Sequence, residues 1–205
     1  MLINKDFVCQ GIQVTIALPE SYDAIKTYPA VFLNDGQLDY LGKLADSVIL
    51  IGLEPKNRLD DFTPWYAQAL RPGSPDFGGK LASYHDHLFG NIFKSIIQEF
   101  RLDETRMAYG GYSLGGLAAI SSLYGSDKMP FIFSICGSFW YPDFVDYCQS
   151  HQLHNKSCSV YLRNGLTEGA NHKNRLAKAP SFAKEVHECI KKQCLYTDSA
   201  FDPYG

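Results

Sequence analysis

Short apolar runs, each bounded by turn residues, recur along the chain. A continuous apolar run is typical of a strand in a parallel sheet, because such a strand is covered on both faces. Residues 11–18 alternate between apolar and polar positions instead, which predicts an antiparallel strand at an edge of the sheet. The continuous runs lie at residues 30–33, 47–52, 131–136 and 159–163, with a further strand at residues 106–109 and the start of a last one at residue 194.

Amphipathic segments separate these runs. Within residues 85–100, apolar side chains at 88, 92, 96 and 100 fall on one face of a helix. Residues 143–151 and 180–193 are also predicted to be helical. Because strands and helices alternate, we predict a single α/β domain over residues 1–205, with a mostly parallel central sheet and helices on both faces.

Composition and charge narrow the range of partners. The chain has 45% hydrophobic and 20% charged residues, as ordinary globular domains do. Its net charge of −3 gives no electrostatic basis for binding nucleic acid or an anionic membrane, so we expect a small-molecule partner. Six cysteines form no C-x-x-C pair, which favours reduced thiols. We see no signal-peptide pattern and no apolar stretch near the ~18 residues of a membrane span, so a cytoplasmic location is expected.

The turns that carry candidate chemistry all follow predicted strands. Ligands of an open parallel sheet bind beyond the carboxyl ends of its strands. The turns after residues 33, 52, 109, 136 and 163 lie at such ends, so we expect them to meet at one edge of the sheet. The long irregular stretch between residues 53 and 84 is predicted to form a wall or a lid of the same site.

One of these turns, Gly111-Tyr112-Ser113-Leu114-Gly115, fits the pattern G-x-S-x-G between a strand and a helix. A serine on so sharp a turn presents its hydroxyl outward, and side chains two positions before or after it would crowd the turn. The pattern therefore indicates that Ser113 is a nucleophile and that the Leu114 amide, at a helix N-terminus, is an oxyanion donor. A structural glycine-rich turn is the alternative. A phosphate-binding loop would need a lysine directly after the glycines, and the sequence has none there.

Several further segments, taken together and in order, resemble a known family. They are VFLNDGQ at 31–37, RLDDFTP at 58–64, YGGYSLGGL at 109–117 and GSFW at 137–140. They resemble the "Putative esterase" family of α/β-hydrolases, which includes enterochelin (siderophore) esterases, feruloyl-type esterases and the antigen 85 mycolyltransferases. The resemblance implies the α/β-hydrolase fold and a serine esterase, a carboxylic ester hydrolase that needs no cofactor or metal.

The resemblance also implies roles for particular residues. The family's catalytic serine falls on Ser113, and its oxyanion donors would be the amide of Leu114 and an amide in the turn around Gly36. Its triad acid follows a late strand in the pattern G-x-x-D/E, which here falls on Glu168. A solvated loop carboxylate is the other interpretation of Glu168.

The family's catalytic histidine has no clear counterpart. It lies in a G-x-H turn near the C-terminus, and this sequence ends at Gly205, where such a turn would begin. We therefore expect a C-terminally truncated chain whose base lies beyond Gly205. A different base, with His172 as the best substitute, or an inactive homologue are the alternatives. His85 and His87 form an H-x-H pair that suggests a metal, although surface or capping roles suit them better.

The substrate is less defined than the chemistry. Aromatic residues near predicted strand ends could line a pocket or belong to the core: Trp65, Phe139, Trp140 and Tyr141. Arg58 could bind a substrate carboxylate, but an ion pair with Asp60 or Asp61 is the favoured interpretation. A small ester, including a siderophore ester, is the expected substrate. An acyltransferase on the same scaffold and a non-catalytic binding protein are the rival functions, and nothing in the sequence predicts an oligomeric state.

Overall fold

The structure, a computed structural model, describes residues 3–39, 41 and 46–204, and for Ile3 and Asn4 the backbone alone. Eight of its strands form one sheet, and β5 and β6 form a separate hairpin. The strands are β1 (Ile3–Cys9), β2 (Ile12–Leu18), β3 (Tyr28–Asn34), β4 (Ile49–Glu54), β5 (Tyr66–Ala67), β6 (Phe77–Gly78), β7 (Leu102–Tyr112), β8 (Phe131–Ile135), β9 (Ser159–Gly165) and β10 (Tyr196–Asp202).

The described helices are mostly short. They are α1 (Arg58–Asp61), α2 (Leu81–His87), α3 (Phe93–Phe100), α4 (Leu114–Ser122), α5 (Phe144–Ser150) and α6 (Ala179–Gln193), with a π-helical turn at Leu88–Ile92 and a 3-10 turn at Arg175–Lys178. The amphipathic pattern correctly located the helical segment that ends at Phe100. It placed the start of this segment at residue 85, whereas the segment begins at Leu81, and Leu81 and Tyr84 are also buried. The π-helical turn also widens the helix in its middle.

The order of the large sheet is β1-β2-β4-β3-β7-β8-β9-β10. Strands β3, β4 and β7 to β10 run parallel, whereas β1 and β2 are antiparallel to their neighbours. The mostly parallel α/β fold expected from the sequence is thus confirmed. The expectation that residues 11–18 form an edge strand is wrong, because β1 folds back on β2 through a tight turn in which Gln10 and Gly11 have positive φ.

One face of the sheet is closed by helices. Phe32 of β3, Tyr109 of β7 and Leu162 of β9 are fully buried there, against a layer that includes α3, α4 and α6. The opposite face carries Phe131 of β8 and Tyr161 of β9, which remain 45% and 42% exposed. The buried face therefore anchors α4, and with it the turn that joins β7 to α4.

The long segment between β4 and α2 packs onto the carboxyl edge of the sheet. The Trp65 indole Nε1 donates a hydrogen bond to the Pro142 carbonyl at 3.0 Å, and the Tyr141 hydroxyl donates to the Trp65 carbonyl at 2.5 Å. These bonds fix the segment against the aromatic turn after β8. Within the described part of the chain, every helix is too short or too polar to cross a bilayer.

Candidate active site

Ser113 lies between the end of β7 and the first residue of α4, in the turn predicted for it. Its backbone has φ 56° and ψ −119°, a conformation that a residue with a side chain rarely adopts. A Cβ atom at Gly111 would lie 2.8 Å from the Gly115 carbonyl carbon and 3.0 Å from the Asn34 Cβ, and one at Gly115 would lie 3.0 Å from the same Asn34 Cβ. A side chain at Gly111 would therefore clash with the backbone and one at Gly115 would press on Asn34, so both flanking positions are crowded, as the pattern indicated.

The hydroxyl of Ser113 meets a second hydroxyl. Its Oγ lies 3.0 Å from the Oγ of Ser138, in the turn after β8. The backbones of the two residues are also joined, because the Ser138 amide donates to the Ser113 carbonyl at 3.0 Å. Sequence reasoning included Ser138 in a matching segment but gave it no role, since only the parallel pairing of β7 and β8 brings the two serines together.

Leu114 begins α4, so its amide has no carbonyl one turn earlier in the helix to bind. The second predicted donor lies in the turn after β3, where Asp35 and Gly36 both have positive φ. The Gly36 amide donates to the Leu33 carbonyl at 3.4 Å, a distance beyond the usual range for such a bond. This turn touches Gly111–Gly115, which we call the nucleophile turn after the role predicted for Ser113. A Cβ at Gly115 would lie 3.2 Å from the Asp35 carboxylate.

Arg58 pairs with the turn after β3. Its guanidinium donates two hydrogen bonds to the Asp35 carboxylate, at 2.6 and 3.1 Å. The predicted partners were wrong, since Asp60 binds Lys80 at 2.8 Å and Asp61 accepts the Asn57 amide. Arg58 also reaches the Tyr112 carbonyl at 3.4 Å. The ion pair therefore ties the Asp35 turn to the residue directly before Ser113.

A buried polar cluster supports the site from below. The Asn34 amide nitrogen donates to the Gly115 carbonyl at 2.9 Å and to the Tyr109 hydroxyl at 3.0 Å, and its oxygen accepts from the Tyr84 hydroxyl at 2.8 Å. The Tyr109 hydroxyl also lies 3.3 Å from His85 Nε2. Burial lowers the pKa of His85 to about 3, so this histidine stays neutral.

Glu168 lies in the loop after β9, on the same edge of the sheet as Ser113. Burial raises the pKa of its carboxyl group, and a hydrogen bond of 3.1 Å from the Asn164 amide nitrogen opposes that shift. Burial also raises the pKa values of Cys136 and Tyr112, and the Glu168 charge adds to both shifts. Glu168 is therefore close to the ends of both β7 and β8.

Two buried residues hold Glu168 from behind, and sequence reasoning predicted neither of them. Asn164 is 1% exposed, and its amide oxygen accepts a hydrogen bond of 3.0 Å from His187 Nε2. This bond sets the orientation in which the other end of the Asn164 amide donates to Glu168. Burial lowers the pKa of His187 to about 4, with smaller contributions from Lys191 and Arg163.

None of the six histidines, all within the described part of the chain, hydrogen bonds to the Ser113 hydroxyl. His172, the substitute considered above, donates its backbone amide to the Gly169 carbonyl at 2.9 Å. His85 belongs to the buried cluster, and His87 lies 3.4 Å from the Ser83 hydroxyl. The ranges that the structure describes contain no group of three His, Cys, Asp or Glu residues suited to a metal ion.

A groove of about 880 Å³ adjoins the nucleophile turn. The turn after β3, Arg58 and Tyr112 line it, together with Phe133 and Ile135 of β8. The aromatic residues proposed for a pocket do not border it. Phe139 and Tyr141 are fully buried and Trp140 is nearly so, which makes these three core residues. Trp65 borders a separate cavity of about 690 Å³ over the far end of α4.

A strained serine between a parallel strand and a helix, with an acid after a later strand, defines the site of an α/β-hydrolase. Residues 8–200 match the family described as "Putative esterase". The chain belongs to this family and is an esterase of the α/β-hydrolase fold.

Individual proteins are similar to this chain in sequence or in fold. The uncharacterized protein YbbA of Bacillus subtilis (strain 168) is 29% identical over 202 residues, which are 90% of this chain and 80% of YbbA. An IroE-like serine hydrolase from Shewanella oneidensis has a similar structure, with a TM-score of 0.84 at 19% identity over 99% of this chain and 74% of that one. The enterobactin hydrolase IroE in complex with DFP has a TM-score of 0.69 at 16% identity, over 98% and 86% of the two chains.

Proposed function

We propose that the protein hydrolyses a small carboxylic ester through an acyl-enzyme formed on Ser113. The observation that carries the proposal is the strained backbone of Ser113 between two closely packed glycines. Such a conformation costs free energy, and it persists at reactive residues because it exposes the side chain to substrate. In the proposed reaction the Ser113 hydroxyl attacks the ester carbonyl, an alcohol leaves, and water then cleaves the acyl-enzyme.

The oxyanion of each tetrahedral intermediate would be held by backbone amides. The Leu114 amide at the start of α4 is the first donor that we propose. The second is the Gly36 amide, whose long bond to the Leu33 carbonyl leaves it weakly engaged in the unliganded protein. The ion pair of Arg58 with Asp35 would keep this turn against the nucleophile turn.

We assign the acid role to Glu168. Its position at the carboxyl edge, its partial burial and its support by Asn164 and His187 suit a carboxylate that orients a catalytic base. A solvated loop carboxylate would need no such buried support. We assign the base to none of the six histidines, because none meets the Ser113 hydroxyl.

The groove beside Tyr112 would receive the substrate. Its volume of about 880 Å³ suits a small molecule rather than a polymer chain. Arg58, Asp35 and Glu54 all line it, so groups of both signs of charge border the groove. The similar structures include an IroE-like serine hydrolase and an enterobactin hydrolase, and this likeness favours a siderophore ester within this class.

The first experiment is labelling with a fluorophosphonate, read by intact mass on protein purified with its natural C-terminus. We expect one adduct on the wild type, none on Ser113→Ala, and full labelling of Ser121→Ala, which removes another hydroxyl from the same helix. Peptide mapping should place the adduct on Ser113. A folded wild type that takes no label would contradict the nucleophile assignment and favour a binding protein.

A substrate panel then tests the ester class. A catecholate trilactone, a feruloyl ester and p-nitrophenyl acetate should be compared by kcat/KM, with Ser113→Ala as the blank. We expect the trilactone to be the best of the three. Product formed only when an acceptor alcohol is added would contradict hydrolysis and identify an acyltransferase.

A further inference from the structure

Ser138 is a buried hydroxyl with one polar neighbour, and that neighbour is the proposed nucleophile. The residue is 1% exposed. Among the residues that the structure describes, the only hydrogen bond of its Oγ is the 3.0 Å contact with Ser113 Oγ. A buried hydroxyl keeps a partner where it can, since an unpaired one costs free energy. Either hydroxyl can donate in this contact, and when Ser138 is the donor its hydrogen is directed at the Ser113 oxygen.

The backbone holds this contact in place. The Ser138 amide donates to the Ser113 carbonyl at 3.0 Å, and the Ser138 carbonyl accepts the Tyr141 amide at 3.0 Å. The Ser113 amide in turn donates to the Ile135 carbonyl of β8 at 3.1 Å. Bonds on both residues thus hold the two backbones next to each other, so the two short side chains start from set positions.

We propose that Ser138 is a catalytic residue that donates a hydrogen bond to Ser113 Oγ and stabilises the negative charge that develops on it. This inference rests on the proposed function. When Ser113 attacks, its own proton passes to the base and its oxygen gains negative charge while the bond to the carbonyl carbon forms. Ser138 keeps its proton throughout and donates only a hydrogen bond, which is stronger to a charged acceptor than to a neutral one.

The same contact serves the second half of the reaction. In the acyl-enzyme, Ser113 Oγ is an ester oxygen and a weaker acceptor, so the bond from Ser138 weakens. When water has added and the bond between carbon and Oγ breaks, the electron pair returns to Oγ, which then regains its proton from the base. Ser138 again donates to the charged oxygen. Its contribution is thus larger in both transition states than in either resting state, which is the requirement for catalysis.

The test compares Ser138→Ala with Ser134→Ala. Ser134 is a matched control, because it is also fully buried in the same stretch of chain and its Oγ has no hydrogen-bond partner among the described groups. We expect Ser138→Ala to lower the rate constant of fluorophosphonate labelling and kcat/KM by about 10- to 100-fold, the range for a hydrogen bond to a charged group. Ser134→Ala should keep the wild-type values.

A pH profile separates this role from a structural one. Because the base is unchanged in Ser138→Ala, kcat/KM should fall by the same factor at every pH, while KM and the thermal midpoint stay close to wild type. Ser138→Cys keeps the size of the side chain and a weak donor, so it should lie between alanine and wild type. It also provides the comparison if the alanine variant does not fold.

Three results would overturn the inference. Wild-type labelling rates in a folded Ser138→Ala would show that the contact contributes nothing to the reaction. Faster labelling would show that Ser138 restrains the nucleophile instead of assisting it. A wild type that takes no label would remove the proposed function and this inference together, whereas the first two results leave the function standing.

Discussion

Two polar clusters flank the nucleophile turn, and they differ in how fully their groups are satisfied. Below the turn, both ends of the Asn34 amide are bonded inside the protein, to Tyr84, Tyr109 and the Gly115 carbonyl. Above it, the Ser113 hydroxyl has one partner, another hydroxyl. A cluster whose hydrogen-bonding groups are all paired can only hold the turn. A hydroxyl that can still form another hydrogen bond can bind substrate. The contrast separates supporting residues from reacting ones without reference to any relative.

The largest effect should come from Glu168→Gln, which changes the proposed acid on the Ser113 side of the turn. If Glu168 orients the base, the amide loses the charge that stabilises the protonated base, and kcat should fall by about 10⁴-fold. The measurement is steady-state turnover of the best ester at neutral pH. Glu185→Gln, on the exposed surface of α6, is the control and should keep full activity. A fall of less than tenfold would leave Glu168 as a solvated loop carboxylate.

The lower cluster should respond in stability. Asn34→Ala removes the partner of the buried Tyr84 hydroxyl and of the Gly115 carbonyl, so the free energy of unfolding should drop by about 4 kcal/mol. Urea denaturation measures it, with the exposed Asn91→Ala as control. A loss below about 1 kcal/mol would show that water replaces the missing bonds and that the cluster is not a closed support.

Acid should weaken the support behind Glu168. The pKa of His187 is about 4 in the folded protein and near 6.5 in the unfolded chain, so the unfolded state binds the proton more readily. The contribution of His187 is therefore complete above pH 6.5 and is lost as the pH falls towards 4, by about 3 kcal/mol in total.

Urea midpoints measured across this range test that sign. In His187→Gln, which keeps a donor for Asn164 but does not titrate, the stability curve should be flatter between pH 6.5 and 4 than in the wild type. Equal slopes in the two proteins would mean that other groups carry the acid response.

The smallest effect is expected at the ion pair that ties the Asp35 turn to Tyr112. Arg58 and Asp35 are 37% and 19% exposed, so breaking the pair with Arg58→Ala should cost only about 1 kcal/mol of stability. Its effect on kcat/KM should exceed that of Lys80→Ala, which breaks a comparable pair with Asp60 away from the nucleophile. Equal kinetics in the two variants would show that the Asp35 turn holds its place without the pair.

Local pattern was enough to predict what lies close in sequence. The nucleophile turn depends on glycines two positions from Ser113, and the buried strands are continuous apolar runs. Both features could therefore be predicted from the sequence. Strand β1 was not predicted, because its pairing with β2 depends on the turn at Gln10 and Gly11 more than on the composition of the strand itself.

Contacts across the fold could not be read in this way. Asp35 is distant from Arg58 in sequence, and the favoured interpretation was a pair with the nearer Asp60 or Asp61. Asn164 meets His187 only because α6 packs on β9, and Ser138 meets Ser113 only because β8 pairs with β7. Polar partners of this kind are set by strand order, which single-sequence patterns do not specify.

The backbone of Ser113 also bears on how the protein can evolve. A positive φ of 56° costs a serine on the order of 1–3 kcal/mol that glycine would not incur, so Ser113→Gly should produce a more heat-resistant protein with no nucleophile. A laboratory population selected for thermal survival alone would drift towards that glycine. Ester turnover must be part of the selection for the serine to persist.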